Sequence, residues 1–488
     1  MDILSRVYDS DNTIDYLKIL NSRIEELVSP MYYNPGALSY GEYMATLGYY
    51  IHSKARDIIC EVLKQMDDHF FTLKGRSQRY YSKGCRKREI ITIFGHIIYY
   101  RHEYVDRDTG KPFIYVDEKL GLHRKDRYDP CICALIYERY GYINSMIKVG
   151  KDIGLSLDTP FDLDSSRLLK AIPRQTVWKI LHRFRRINQP IIEKDDTPDI
   201  LYVMADEKFV ASQRNSRTDL MVKEVILHEG IETKVGKVDK ETGEILHFRN
   251  SLINPRRFIC LKDENIYDRV NSYINSSYDT EKIKTLYLMG DGGSWIAPGK
   301  EILKSYSYPV KCGLDKYHLS QAVNAISDDE EVKKQLYHLA IGNRRKKFDT
   351  LISEIMERDK DREDTIKEKA GYITNHFKEI QTMYKEIKIG CAMEQAISHD
   401  LSSQFTSVPK AYSNKWLGFY LNLRENYLNS YDLRRSYLMS LDRTRSGNKE
   451  NEADLSEHLI TSFFDSQIKD ETYTLSKKPQ ISVSRYRS

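Results

Sequence analysis

No hydrophobic stretch in the 488 residues approaches the roughly 18 consecutive apolar positions that a membrane helix needs. The opening segment, "MDILSRVYDSDN", carries acids early and has no apolar centre, so no secretory signal is expected there. Cysteine is sparse, scattered and odd in number, at seven. Cys131 and Cys133 form the one close pair, at a spacing unlike that of a zinc knuckle. Reduced thiols in a cytosol are therefore expected, not a disulfide framework. No internal repeat or low-complexity tract is evident. Acids are missing locally. "RSQRYYSKGCRKR", from Arg76 to Arg88, holds six basic residues and two tyrosines without one acid. "KAIPRQTVWKILHRFRRINQP", from Lys170 to Pro190, is again basic without an acid. Such runs suit a phosphate backbone, and a solvated helix face or basic loop is the competing reading of each.

What is present is ordinary for a globular chain: 40% hydrophobic and 30% charged residues, with a net charge of only +5. The length allows roughly two to four domains. "IDYLKILNSRIEELV" and "ARDIICEVLKQMDDHFF" carry apolar residues at helical spacing, so the first 75 residues read as helical. From Glu89 the period changes. "EIITIFGHIIYYRHEYVD" and "GKPFIYVDEKLGL" predict a small β-rich basic unit over 76–130, with Arg86, Lys87 and Arg88 as candidate DNA contacts. Over 131–190 helices return. A helix starting near Arg174 would bury Val177, Ile180, Leu181 and Phe184 and leave Arg174, Gln175, Thr176, Lys179, Arg183 and Arg186 for DNA. The arrangement is helix-turn-helix-like, with a connection longer than that motif's turn, and a plain helical hairpin is the alternative.

After the linker "NQPIIEKDDTPD", the apolar strand "ILYVMADEKFV" runs into Asp206. "TDLMVKEVILHEGI" and "ETKVGKVDKETGEILHF" alternate like hairpin strands. "RRFICL", a helix, a strand into Asp291, a further helix and the strand "YPVKCGLD" follow. Three antiparallel strands and then alternating helices and strands are the chain order of a ribonuclease-H-like α/β fold. That core is expected over 198–325, interrupted by a helical insertion over 326–388, closed by a helix over 389–425 and followed by a tail over 426–488. In such a sheet the first and fourth strands are neighbours, which would set Asp206 beside Asp291. Asp291 alone, between glycines in "YLMGDGGSWIAPG", reads first as a turn residue and second as half of a metal site. Two adjacent carboxylates repel unless a cation neutralises them, and hard oxygen ligands suit Mg²⁺. Glu394, at the start of a helix after the insertion, is the candidate third acid, with a surface helix acid as its bland reading. Arg344, Arg345, Lys346 and Lys347 in the insertion are candidates for a DNA path.

"ADEKFV", "GDGGSW", "LDKYHLSQAV" and "GCAMEQAISHDLSSQFTSVPKAYS" resemble the motifs of ISLre-type insertion-sequence transposases, bacterial relatives of the Mutator-type DDE transposases. "FGHIIYYRHEYV", "DEKLGL" and "PRQTVWKIL" extend the resemblance over roughly residues 60–425. It implies Asp206, Asp291 and Glu394 as the catalytic, metal-binding acids. It also implies an Asp-x-x-His element, Asp315 to His318. In that element His318 would meet a phosphate or orient a carboxylate, and Asp315 would hold the imidazole or cap a helix. Relatives tend to carry glycine where this chain has Gln395, and "QFTSVPKAYS" departs from their arginine-containing wording.

The expected activity is therefore DNA transposition. Water cleaves a phosphodiester at an element end, and the freed 3′-hydroxyl then attacks target DNA. Two Mg²⁺ ions, for which Mn²⁺ may substitute, would support this by two-metal phosphoryl transfer. The expected partners are terminal inverted-repeat DNA, target DNA and further copies of the chain in a dimer or larger assembly, with no membrane. The expected location is the bacterial cytoplasm. A DNA-binding descendant without catalysis and a nuclease that only hydrolyses are the alternatives.

Overall fold

The computed structural model describes residues 39–73, 75–122, 126–157, 171–183, 187, 189, 192–213, 219–238, 242, 245–261, 265–405 and 412–446. These fall into two compact units. One draws on Met1–Ile136, Gly150–Pro173 and Arg434–Ser488, the other on Tyr137–Val149 and Arg174–Leu433.

The first unit is built on helix α1, Tyr40–Thr72, and a three-stranded antiparallel sheet: β1 Tyr80–Thr92, β2 Gly95–Asp106 and β3 Pro112–Phe113. Ser39 and Glu42 form a reciprocal capping box that starts α1. The helix expected over "IDYLKILNSRIEELV" lies outside the described residues. A two-residue turn joins β1 to β2, and Gly95 leaves it at φ 105°, where a side chain would be strained. β2 alternates buried and exposed positions. Its Ile97 and Tyr99 pack with Ile90, Val116 and Leu63 of α1. From Tyr80 on, the acid-free run is thus strand, after one helical turn over Arg76–Arg79. Its register sets Arg86 opposite Arg101 and Arg88 opposite Tyr99.

Between the units' segments run α2, Pro130–Tyr142, and α3, Met146–Leu157, then α4, Arg174–Leu181. α4 buries Val177, Ile180 and Leu181, as its spacing predicts. Residues 158–170, which would carry the turn of a helix-turn-helix, lie outside the described residues, as do Phe184 and Arg186.

The second unit centres on a five-stranded mixed sheet. Its strands are β4 Ile200–Val210, β5 Leu220–His228, β8 Arg256–Leu261, β9 Thr285–Gly290 and β10 Val310–Leu314, in the order β10-β9-β4-β5-β8. β4, β5 and β8 are antiparallel neighbours, while β4, β9 and β10 run parallel. Among the described residues, β6 Gly230–Val238 and β7 Ile245–Ile253 pair only with each other. This corrects the strand assignment from sequence. "ETKVGKVDKETGEILHF" forms a separate ribbon, and "RRFICL" takes the third place in the sheet. Burial decides it: Val235 and Phe248 of the ribbon are exposed, whereas Phe258, Ile259 and Cys260 of β8 are buried.

β4 is buried on both faces. Leu201, Val203 and Ala205 face a core with α5, Ile266–Ser277. Tyr202 and Met204 face the other way, and Tyr202 stacks between His228 and Tyr287. After β10 come α6 Lys316–Ile326, α7 Glu330–Ile341, α8 Arg345–Arg358, α9 Glu363–Asn375 and α10 Phe377–Lys385. They share one apolar core around Phe348, Ile366 and Ile380. α11, Met393–Ala396, continues into a π-helical turn, Ile397–Ser402. α12, Asn414–Leu428, then packs on β8, where Glu425 accepts the Ile259 amide at 2.7 Å. Among the described residues no helix is long and apolar enough to cross a membrane.

Candidate metal centre at the strand ends

The parallel part of the sheet ends in acids. β4 pairs with β9 up to Ala205 opposite Gly290, so the next residue of each strand is Asp206 and Asp291. β9 pairs with β10 up to Gly290 opposite Leu314, so Asp315 comes next on the third strand. In open α/β sheets, the carboxyl ends of parallel strands are where ligands collect. A carboxylate oxygen from each of Asp206, Glu207 and Asp291 lies within 4.8 Å of the others. A second group, sharing Asp206, brings in His318 and Glu394 under the same limit. Four of the five candidates thus meet around Asp206.

Each is held in place by its own local structure. Asp206 accepts the Glu207 amide at 2.7 Å. Asp291 Oδ1 accepts the Gly293 amide at 2.8 Å, as a turn acid does. The turn and ligand readings of Asp291 are therefore compatible. Gly292 sits at φ 81°, and a Cβ there would meet the His376 ring at 2.5 Å. Both conditions require glycine. Asp315, the fifth candidate, is the N-cap of α6, accepting the Tyr317 amide at 3.1 Å. His318 follows in the first turn of that helix. Glu394 is exposed on α11. The Ala392 amide donates to the Met204 sulfur at 3.2 Å, which brings the segment to the β4 face that Met204 and Asp206 share.

Electrostatics mark the same place. Burial pushes the Asp206 carboxyl up to about 6, with the charges of Asp291 and Glu207 adding to the rise. The Glu207 amide and His318 oppose it. Burial also raises Glu207 and Asp315 above their usual range. Glu224, opposite Asp206 across the β4–β5 ladder, is fully buried. Burial, and then the neighbouring Asp400 carboxylate, lift it well above the usual carboxylate range. A cation at Asp206, Glu207 and Asp291 would relieve the crowding of their charges. The donors are hard oxygens with one imidazole, a set that suits Mg²⁺ or Mn²⁺.

Sequence reading missed four participants. Glu207 directly follows a candidate acid, and its Oε2 accepts the Trp295 indole N–H at 2.5 Å. Its strand alternation puts it on the face opposite Asp206, so spacing argued against a shared site. Tyr372 comes from α9 and His376 is the residue that caps its C-terminus, and no local pattern tied them to Asp291. Asp400, on the π-helical turn, bonds Arg257 Nε at 2.6 Å. The signal there was the π-turn, which frequently accompanies functional sites and which spacing alone does not reveal.

The basic candidates separate by exposure. Arg174, Gln175, Lys179 and Arg183 are exposed, and Thr176 is half-buried. Arg86 is exposed and pairs with Glu103 at 3.3 Å, and Lys87 pairs with Glu89 at 2.6 Å. Arg88 is buried on the inner face of β1, at 8% exposure. That corrects its place among the DNA contacts: strand alternation turns it away from solvent. Arg344, Arg345, Lys346 and Lys347 are all exposed where α8 begins.

Similarity to known proteins extends over most of the chain. The model of a family described as "Uncharacterised protein family (UPF0236)" matches residues 36–440. Two UPF0236 proteins of Caldanaerobacter subterraneus subsp. tengcongensis are similar to this chain. One is 29% identical over 390 residues, covering 78% of this chain and 76% of the relative. The other is 28% identical over 392 residues at the same coverage, and its name joins eleven locus designations. A UPF0236 protein of Streptococcus gallolyticus is 23% identical over 307 residues, covering 61% of this chain and 62% of the relative. The chain belongs to the UPF0236 family.

Proposed function

We propose that the chain is a DDE-type DNA transposase of the ISLre kind, with Asp206, Asp291 and Glu394 as its acids and a ribonuclease-H-like catalytic core. The observation that carries this is the convergence on Asp206 of acids from β4, from the end of β9 and from α11. The strand order and directions of the central sheet support the fold. The joining of eleven locus designations in one relative's name fits a gene carried in many copies. Four exposed cations at the start of α8, with no acid in its first turn, add to the helix's positive end instead of offsetting it. Such an arrangement is electrostatically sensible when polyanionic DNA supplies the counter-charge.

The residues that hold Mg²⁺ in this reading are Asp206, Asp291 and Glu394, with Glu207 alongside. When bound, Mg²⁺ supplies charge neutralisation at phosphorus and activation of the attacking oxygen. The protein's own part is positioning. The strand ends hold the carboxylates on a rigid sheet, and Asp315 starts the helix that brings His318 to Asp206. His318 has an N–H with which to hold a phosphate oxygen or a carboxylate. Arg174, Gln175, Thr176, Lys179 and Arg183 on and after α4, together with the cations of α8, bind backbone phosphates of the element end. Two ends must be joined in one reaction, so the working form is a dimer or larger.

The test is to incubate purified chain, Mg²⁺ and terminal-repeat DNA with a target plasmid. Joined product supports the transposase. Cleavage without joining assigns a hydrolytic nuclease, and a gel shift without cleavage assigns a DNA-binding protein.

A further inference from the structure

A second group of metal-ligating side chains lies in the first unit, in sequence far from the acids around Asp206. Asp67 comes from α1, Cys85 from β1 and His102 from β2. A carboxylate oxygen, the thiol and a ring nitrogen of the three lie within 4.8 Å of one another. Asp67 has a side chain only 3% exposed, and its Oδ2 is 2.6 Å from His102 Nδ1. Both its oxygens also accept the His102 amide, at 3.1 and 2.9 Å. The ring plane of His102 is set by Phe71, stacked on it at 4.3 Å. Cys85 is exposed, leaving a way in from solvent.

The backbone is shaped to bring the thiol there. Ser82 pairs with Tyr104, but Cys85 pairs with His102, so β1 carries one extra residue between them. Gly84 turns this bulge at φ 95°, and its amide donates to Ser82 Oγ at 3.2 Å. Without the bulge the register would slip by one, and the residue opposite His102 would be Gly84. Cys85 would then point to the other face. With the bulge, Cys85 and His102 are direct cross-strand partners on one face, within reach of the Asp67 carboxylate.

We propose that Asp67, Cys85 and His102 bind one Zn²⁺ ion that fastens α1 to β1 and β2. One oxygen, one nitrogen and one sulfur are a donor set that Zn²⁺ takes and that Mg²⁺ does not. A buried carboxylate is stable when it is paired or coordinates a metal, and Asp67 meets this ion with its buried side. Binding releases the thiol proton. The three protein ligands leave a fourth position on the solvent side.

The test uses the whole chain, stripped with a chelator and titrated with Co²⁺ in excess Mg²⁺, so that the oxygen ligands around Asp206 stay filled. One Co²⁺ per chain should bind with a thiolate-to-cobalt absorption band and be displaced by Zn²⁺. Cys85→Ser, at an exposed position, should keep the wild-type circular dichroism and lose the band. His102→Asn should weaken the apparent affinity by at least about tenfold. A wild-type chain without the band, a band that survives in Cys85→Ser, or unchanged affinity in His102→Asn each overturns the proposal. None of these readouts depends on DNA chemistry.

Discussion

The Tyr372 hydroxyl donates to the main-chain oxygen of Asp291 at 2.6 Å, across 81 residues of sequence. His376, which caps the C-terminus of the same helix, sets its ring against Gly292. The helical segment after β10 is therefore a brace for the loop that carries the second acid, and not only an excursion between core elements. Tyr372→Phe removes one hydrogen bond and should cost about 0.5–1.5 kcal/mol of stability. If the loop is catalytic, DNA cleavage should fall more than DNA binding. Equal losses in both would show that the bond matters only for folding.

Gly292→Ala meets two obstacles, a positive φ and the imidazole. Strain of this kind costs about 1–3 kcal/mol. Combining it with His376→Ala should recover part of the loss, because the space opens while the backbone strain stays. Thermal melts of both single variants and the double variant separate the two contributions. Full recovery in the double variant would show that φ plays no part.

Asp206→Asn and Asp291→Asn should each lower strand cleavage and joining by at least about 10²-fold, the scale on which charge-stabilising groups act, and leave terminal-repeat affinity nearly unchanged. Glu207→Gln should behave as a weaker version, raising the Mg²⁺ concentration needed for half-maximal activity by about 10–100-fold. A fully active Asp291→Asn chain would remove that residue from the centre.

The four cations Arg344, Arg345, Lys346 and Lys347 are expected to act on phosphates. Each contact removed by alanine should reduce the slope of log affinity against log salt by about 0.9 for duplex DNA. Binding measured from low to moderate salt gives the slope. An unchanged slope in the quadruple variant would place the DNA elsewhere.

His228 supplies a pH dependence outside the site. Burial lowers its imidazole from 6.5 to about 4, against a smaller opposing effect of its bond to Gly230. The unfolded chain then takes up a proton that the folded chain refuses. Stability from this group is complete above about 6.5 and is lost as pH falls towards 4, by about 3 kcal/mol in all. Denaturant midpoints between pH 7 and 4 should fall, and His228→Gln should flatten that part of the profile. A profile identical in both chains would exclude His228 as the cause.

Much of this molecule was legible locally. The apolar runs of β4 and β9, the acids that follow them and the buried face of α4 follow from periodicity, because a run of apolar residues can be satisfied in few ways, although β4 continues past Asp206 to Val210. So does the helix that Asp315 caps. Glu394 was reachable only through its partners or through a resemblance, since an exposed helix acid has no distinguishing pattern. The β6–β7 ribbon deceived because alternation reports a strand and not which sheet receives it. Arg88 deceived because a basic run reports charge and not face.

By itself the sequence determined where strands and helices form and which acids follow their apolar runs, since hydrophobic period and turn chemistry are properties of neighbouring residues. Only the tertiary structure decided which strand lies beside which. It set the register that puts Asp206 next to Asp291, and it brought Glu207, Tyr372 and His376 to the same loop. Those outcomes depend on the burial of surfaces from distant segments, and that free energy is not written in any short stretch of chain.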